Sequence, residues 1–202
     1  MERVLLIHGL WMPAATMHWL ARRLRAAGFD AETLGYYGAG RGPQSLLPQL
    51  QARLADAPAH LVAHSLGGLA ALVALETDPG LPVPRVVCLG SPLCGSDAAR
   101  GLQRHALTRR LLGHSAELLS RGCTPWRGRA QVGAIAGATP LGLGRLFGRF
   151  DGPSDGTVAV AETRLEGLAD HVVIPASHSG LPFSPRAADL TVQFLRHGRF
   201  QP

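Results

Sequence analysis

Ala59-His60-Leu61-Val62-Ala63-His64-Ser65-Leu66-Gly67-Gly68 is the stretch whose reading decides the fold: an apolar strand-like run, a serine, and the start of a helix. A serine hydroxyl is a poor nucleophile at neutral pH and needs a nearby base and an exposed position. A sharp turn between strand and helix supplies the exposure, provided the residues two places either side of the serine are small. Here they are Ala63 and Gly67, followed by Gly68. The usual pattern is G-x-S-x-G, and Ala63 departs from it by one methyl group that still leaves room for the turn. Small residues beside a serine are also ordinary in a chain with 25 glycines, so the turn needs support from its surroundings.

That support begins at the amino terminus, where Val4-Leu5-Leu6-Ile7 runs into His8-Gly9-Leu10-Trp11. Four consecutive apolar residues suit a strand buried on both faces. Strand-like runs at about 3–8, 30–36, 59–64, 85–90, 131–137 and 170–175 alternate with helical segments near 13–27, 44–56, 65–77, 97–121 and 185–197. Such alternation gives right-handed crossovers and a mainly parallel sheet of about six strands with helices on both faces. At 202 residues, without a convincing linker, the chain reads as one α/β domain over 1–202, with room for a small helical cap at about 93–130. Two further candidates follow: Asp155 within the turn-rich Gly152-Pro153-Ser154-Asp155-Gly156-Thr157-Val158, on a longer connection that reads as a loop near a sheet edge, and His178 within Ser177-His178-Ser179-Gly180, immediately after a strand-like run. Catalytic groups in open α/β sheets gather at the carboxyl ends of strands, where Leu10, Ser65 and His178 fall together.

Taken in order, V-L-L-I-H-G-L-W near residue 4, A-H-S-L-G-G at 63, L-G-S-P at 89, S-D-G-T-V at 154 and S-H-S-G at 177 make the chain resemble a small, lid-poor α/β-hydrolase of the kind found among minimal bacterial esterases and lipases. The resemblance covers nearly the whole length. It implies a Ser65, Asp155, His178 triad, in the order Ser, Asp, His, and an oxyanion hole from the backbone N–H groups of Leu10 and Leu66. It implies a serine hydrolase acting on carboxylic esters through an acyl-enzyme. The same triad would serve a thioesterase or an acyltransferase, and a catalytically inactive binding or scaffold protein could keep the fold. Asp151 in the same loop, and Asp97 after the fourth strand-like run, are the alternative acids; Asp170 precedes a strand and reads as ending a helix or capping a turn. His8 and His64 are read as structural.

The 20 basic residues are all arginines, against 14 acidic residues. Between Ala98 and Phe150 lie nine arginines and one acid, Glu117, a local balance of 9 − 1 = +8 within a chain of net charge +6. A basic cap there would attract anionic substrates or make peripheral contact with anionic surfaces; a solvated arginine-rich helical surface is the favoured reading. Nucleic acid is not indicated, since the segment has little aromatic interleaving and no recognised binding motif. No run is long enough for a transmembrane segment. Neither H-E-x-x-H nor Cys/His clusters appear, so no metal and no cofactor is expected. Cys88, Cys94 and Cys123 show no motif spacing and cannot all pair; with no secretory signal visible, they are read as thiols of a reducing cytoplasm. Trp11, Met12 and Leu181 are the candidate substrate-binding residues, and an apolar wall of this kind suits a small-molecule ester with a hydrocarbon acyl chain.

Overall fold

The computed structural model describes residues 1–10, 12–35, 45–95, 118–119, 123–141 and 152–200. Its centre is one sheet of β1 (Arg3–Ile7), β2 (Asp30–Leu34), β3 (Ala59–His64), β4 (Arg85–Leu89), β5 (Gln131–Gly137) and β6 (Asp170–Ile174), in the order β2-β1-β3-β4-β5-β6. Every pairing is parallel. β3 is buried at all of its residues and β1 at all but Arg3, as expected of apolar runs covered on both sides.

Helices cover the two faces. Leu50 and Leu54 of α2 (Leu46–Leu54), with Leu69 and Leu72 of α3 (Leu66–Thr77), pack on Leu5, Ile7, Leu61, Val86 and Val132. On the opposite face, Leu20 and Leu24 of α1 (His18–Ala26) join Leu190 and Phe194 of α4 (Pro185–His197) over Val4, Leu6, Val62, Val87 and Ile135. Residues on the two faces of β1 to β5 thus feed two separate cores, while the edge strand β6 packs only on the α1/α4 side, through Val172 and Ile174. α4 starts where its sequence directs: the Ser184 hydroxyl accepts from the Ala187 N–H, and Pro185 occupies the first turn, where its missing N–H costs nothing. The helix expected over 13–27 begins instead as a 3-10 turn, Ala14–Met17, after the extended Pro13.

The strand order places the site. The chain steps outward from β1 to β2, then crosses back to β3 on the other side of β1, so the connections leaving the carboxyl ends of β1 and β3 diverge and open a crevice between them. The helical segment expected over 97–121, apart from residues 118–119, and most of the cap at 93–130 lie outside the described residues, as do seven of the nine arginines counted there.

The cysteine reading is corrected. Cys94 and Cys123 form a disulfide across a sequence separation of 29, and only Cys88 is free, fully buried on β4, where burial pushes its thiol up to about 12. The bond joins the turn after β4 to the segment before β5, a proximity that spacing along the chain does not reveal. Disulfides persist in oxidising compartments, so the cysteines no longer argue for a cytoplasmic setting. In the chain-entropy picture a loop of this length stabilises the fold by about 3–4 kcal/mol. Urea unfolding with and without reductant should differ by roughly that amount, and the denatured, unreduced protein should titrate as one thiol; three reactive thiols would refute the pairing.

Candidate active site

Ser65 follows the last residue of β3 and caps α3 at φ 55 and ψ −125, the one residue other than glycine with positive φ among the described residues. Such backbone is disfavoured for a residue with a Cβ and persists only where its surroundings fix it. The Ser65 N–H donates to the Leu89 carbonyl at 2.9 Å, tying the turn to β4. Two residues on, a Cβ at Gly67 would come within 2.6 Å of the His8 carbonyl oxygen, so a side chain there would drive the helix off β1. Leu66 opens α3, where helix geometry leaves the N–H without an intrahelical acceptor. Leu10 lies half-buried in the turn after β1, where the His8 imidazole bonds the Gly9 carbonyl at 2.8 Å.

His178 begins the 3-10 helix His178–Phe183 just beyond β6. Its Nε2 is 3.0 Å from Ser65 Oγ and its Nδ1 is 2.7 Å from Asp155 Oδ2. An ionised carboxylate only accepts, so the ring proton belongs on Nδ1 and the Nε2 lone pair faces the serine hydroxyl. Asp155 sits in a tight turn bridged by Ser154 and Ala159. Its Oδ1 accepts from the N–H groups of Thr157 (2.9 Å) and Val158 (2.7 Å), leaving Oδ2 for the histidine. With Asp155 1 % and His178 8 % exposed, water is nearly excluded from this bond, which strengthens it. Ser65 comes from the turn between β3 and α3, Asp155 from the 152–159 turn and His178 from the start of the 3-10 helix after β6.

Asp170 stands at the opposite, amino-terminal end of β6, accepting from the N–H groups of His171 and Phe200. Asp97, Asp151 and Trp11 lie outside the described residues. Met12 is half-buried. Leu181 is corrected: its side chain has no exposure and belongs to the core on the α1/α4 face, so it packs beneath the site rather than lining it. The sequence reading also missed Gly90. At φ +56, just after β4, a Cβ there would meet Asp155 Oδ2 at 3.1 Å, His178 Nδ1 at 3.2 Å and Leu181 Cδ1 at 2.7 Å. The Leu-Gly-Ser-Pro stretch carried the signal, but only the fold shows what approaches it.

His64 is fully buried, and burial first, then the neighbouring His178, lowers its pKa to about 3. A histidine whose folded pKa is depressed is protonated more readily in the unfolded chain, so its contribution to stability is complete above the unfolded value near 6.5 and lost as pH falls toward 3. Between pH 7 and pH 4.5 that loss is roughly 2–3 kcal/mol. Denaturant unfolding of His64→Gln should show a pH dependence flatter by about that amount; equal slopes in variant and wild type would refute it.

No family model and no curated protein matches the sequence. Solved structures do match. A mature lipase of Bacillus licheniformis superposes with a TM-score of 0.74 at 20% identity, over 96% of this chain and 91% of that one. A metagenomic carboxyl esterase gives 0.68 at 16% identity, over 89% and 65%. Tomato methylketone synthase I, solved with 2-tridecanone, gives 0.61 at 15% identity, over 98% of each chain. With its parallel six-stranded sheet and helices on both faces, the chain has the α/β-hydrolase fold.

Proposed function

We propose that the protein is a serine hydrolase that cleaves carboxylic esters through an acyl-enzyme intermediate. The observation that carries this reading is the continuous chain from Ser65 Oγ to His178 Nε2 (3.0 Å) and from His178 Nδ1 to Asp155 Oδ2 (2.7 Å). In this mechanism His178 Nε2 takes the Ser65 proton as Oγ forms a bond to the ester carbonyl carbon. The carbonyl oxygen becomes an oxyanion facing the Leu10 and Leu66 N–H groups. The tetrahedral intermediate collapses, the C–O bond to the alcohol breaks, and His178 returns the proton to the departing oxygen. Water then repeats the sequence and releases the acid and free Ser65. Asp155 holds the tautomer and offsets the charge on His178 while it carries two protons.

Neighbours described as a lipase and a carboxyl esterase support ester cleavage, and the methylketone synthase on the same fold shows that the fold alone fixes no reaction. A thioester substrate, or transfer to an acceptor alcohol, would use the same atoms. A purely scaffolding role is disfavoured, because it gives no reason to keep a strained Ser65 aligned with a buried histidine and carboxylate. Among the described residues no helix is long and apolar enough to cross a membrane.

Hydrolysis of a p-nitrophenyl ester series from acetate to palmitate tests the reading. Turnover that vanishes in Ser65→Ala is expected, with a chain-length optimum that sizes the acyl pocket. Turnover surviving in Ser65→Ala would mean that another group carries the reaction.

A further inference from the structure

His64 is the residue just before Ser65 and the last of β3. A histidine with no exposure on a strand of apolar residues must find partners for its ring, because an unpaired buried polar group is costly. Its Nε2–H donates to the main-chain carbonyl of His178 at 3.0 Å, across a sequence separation of 114. Because a carbonyl oxygen only accepts, that bond fixes the tautomer with the proton on Nε2, and Nδ1 has no hydrogen-bond partner among the described residues. The His64 and His178 rings are 4.8 Å apart, tilted by 45°. On its other side the ring meets the loop after β1: a Cβ at Gly9 would lie 3.1 Å from His64 Nδ1 and 3.0 Å from Ser65 Cβ.

The His178 peptide is therefore held at both ends. Its N–H donates to the Asp155 carbonyl at 3.0 Å, and its C=O accepts from His64. A direct tie is needed because β3 and β6 are three places apart in the sheet, about 14 Å at ordinary strand spacing. The loop of His178 must reach back over the ends of β4 and β5 to meet the serine. The sheet alone leaves that reach unfixed.

We propose that His64 is a positioning residue, which joins the oxyanion loop, the nucleophile and the main chain of His178 through one ring and sets the distance between His178 Nε2 and Ser65 Oγ; this rests on the serine-hydrolase reading above. It touches no reacting atom. Its effect falls on kcat, because misplacing a catalytic group by about 1 Å costs up to roughly 100-fold in rate.

The test compares His64→Leu, His64→Gln and His64→Asn with wild type. The Gln amide nitrogen is as many bonds from Cβ as imidazole Nε2 and restores the donor; the Asn amide falls one bond short; Leu fills the space without a donor. Expected are a kcat for p-nitrophenyl butyrate lowered about 10- to 100-fold in Leu and Asn, KM within about twofold of wild type, and recovery of at least about tenfold in Gln. The rate at which a fluorophosphonate labels Ser65 should fall and recover in parallel. If Leu does not fold, the Gln and Asn pair decides. Wild-type labelling at Ser65, with kcat and labelling rates equal in all folded variants, would overturn the positioning role and leave the hydrolase reading intact. A wild type that does not label would overturn both.

Discussion

Ser65→Ala is expected to lower kcat/KM for an activated ester by about 10⁵- to 10⁶-fold, the scale on which removal of a triad nucleophile is felt. The argument is geometric. Ser65 Oγ is the atom that meets His178 Nε2 at 3.0 Å, and the turn that presents it is held by the Leu89 carbonyl and by the fit of Gly67 against the end of β1. None of these backbone constraints involves the hydroxyl. The alanine variant should therefore fold with a stability within about 1 kcal/mol of wild type, since it removes one half-buried hydrogen bond. Its residual rate should come from the oxyanion donors and from binding. A variant that loses activity together with its near-UV circular dichroism would have lost its fold and would show nothing about the nucleophile, so the two are measured together. A folded Ser65→Ala protein within tenfold of wild type would remove Ser65 from the mechanism.

Asp155→Asn should cost about 10⁴-fold in kcat, less than loss of the nucleophile. In the native turn Asp155 Oδ1 accepts two backbone N–H groups, from Thr157 and Val158, and that position selects the oxygen of an asparagine amide. The amide NH₂ then points at His178 Nδ1 and donates to it. His178 must shift its proton to Nε2, and a protonated Nε2 has no lone pair to accept from Ser65. The damage is thus a wrong tautomer more than a lost charge, and Asp155→Ala, which leaves both tautomers accessible, should be no slower than Asp155→Asn. Activity of Asp155→Asn within tenfold of wild type would reassign the acid.

The four inner strands were legible because strands covered on both faces must be apolar and read as runs such as Val4–Ile7 and Val86–Leu89 whatever their neighbours; the edge strands β2 and β6 are only partly buried and were legible from the alternation with helical segments. The nucleophile turn was legible because its sterics are local: small residues around Ser65 and an apolar helix behind it. Asp155 and His178 were legible from glycine-rich settings beyond strands, and the Asp155 turn indeed closes on its own backbone through Thr157 and Val158. What escaped the sequence depends on contacts distant along the chain. His64 takes its meaning from a carbonyl 114 residues away. Gly90 matters because Asp155, His178 and Leu181 converge on it, and Cys94 matters because Cys123 does. Leu181 misled because proximity to His178 in sequence implies nothing about which way a side chain turns in a 3-10 helix, and here it turns into the core.

Reaction of the wild-type protein with a fluorophosphonate, followed by peptide mass spectrometry, tests the central claim most directly, because only a serine activated by its neighbours is phosphonylated. The account predicts a single stoichiometric adduct on the peptide containing Ser65, and no adduct in His178→Ala over the same time. An unmodified wild type, or an adduct on any other serine, would contradict it.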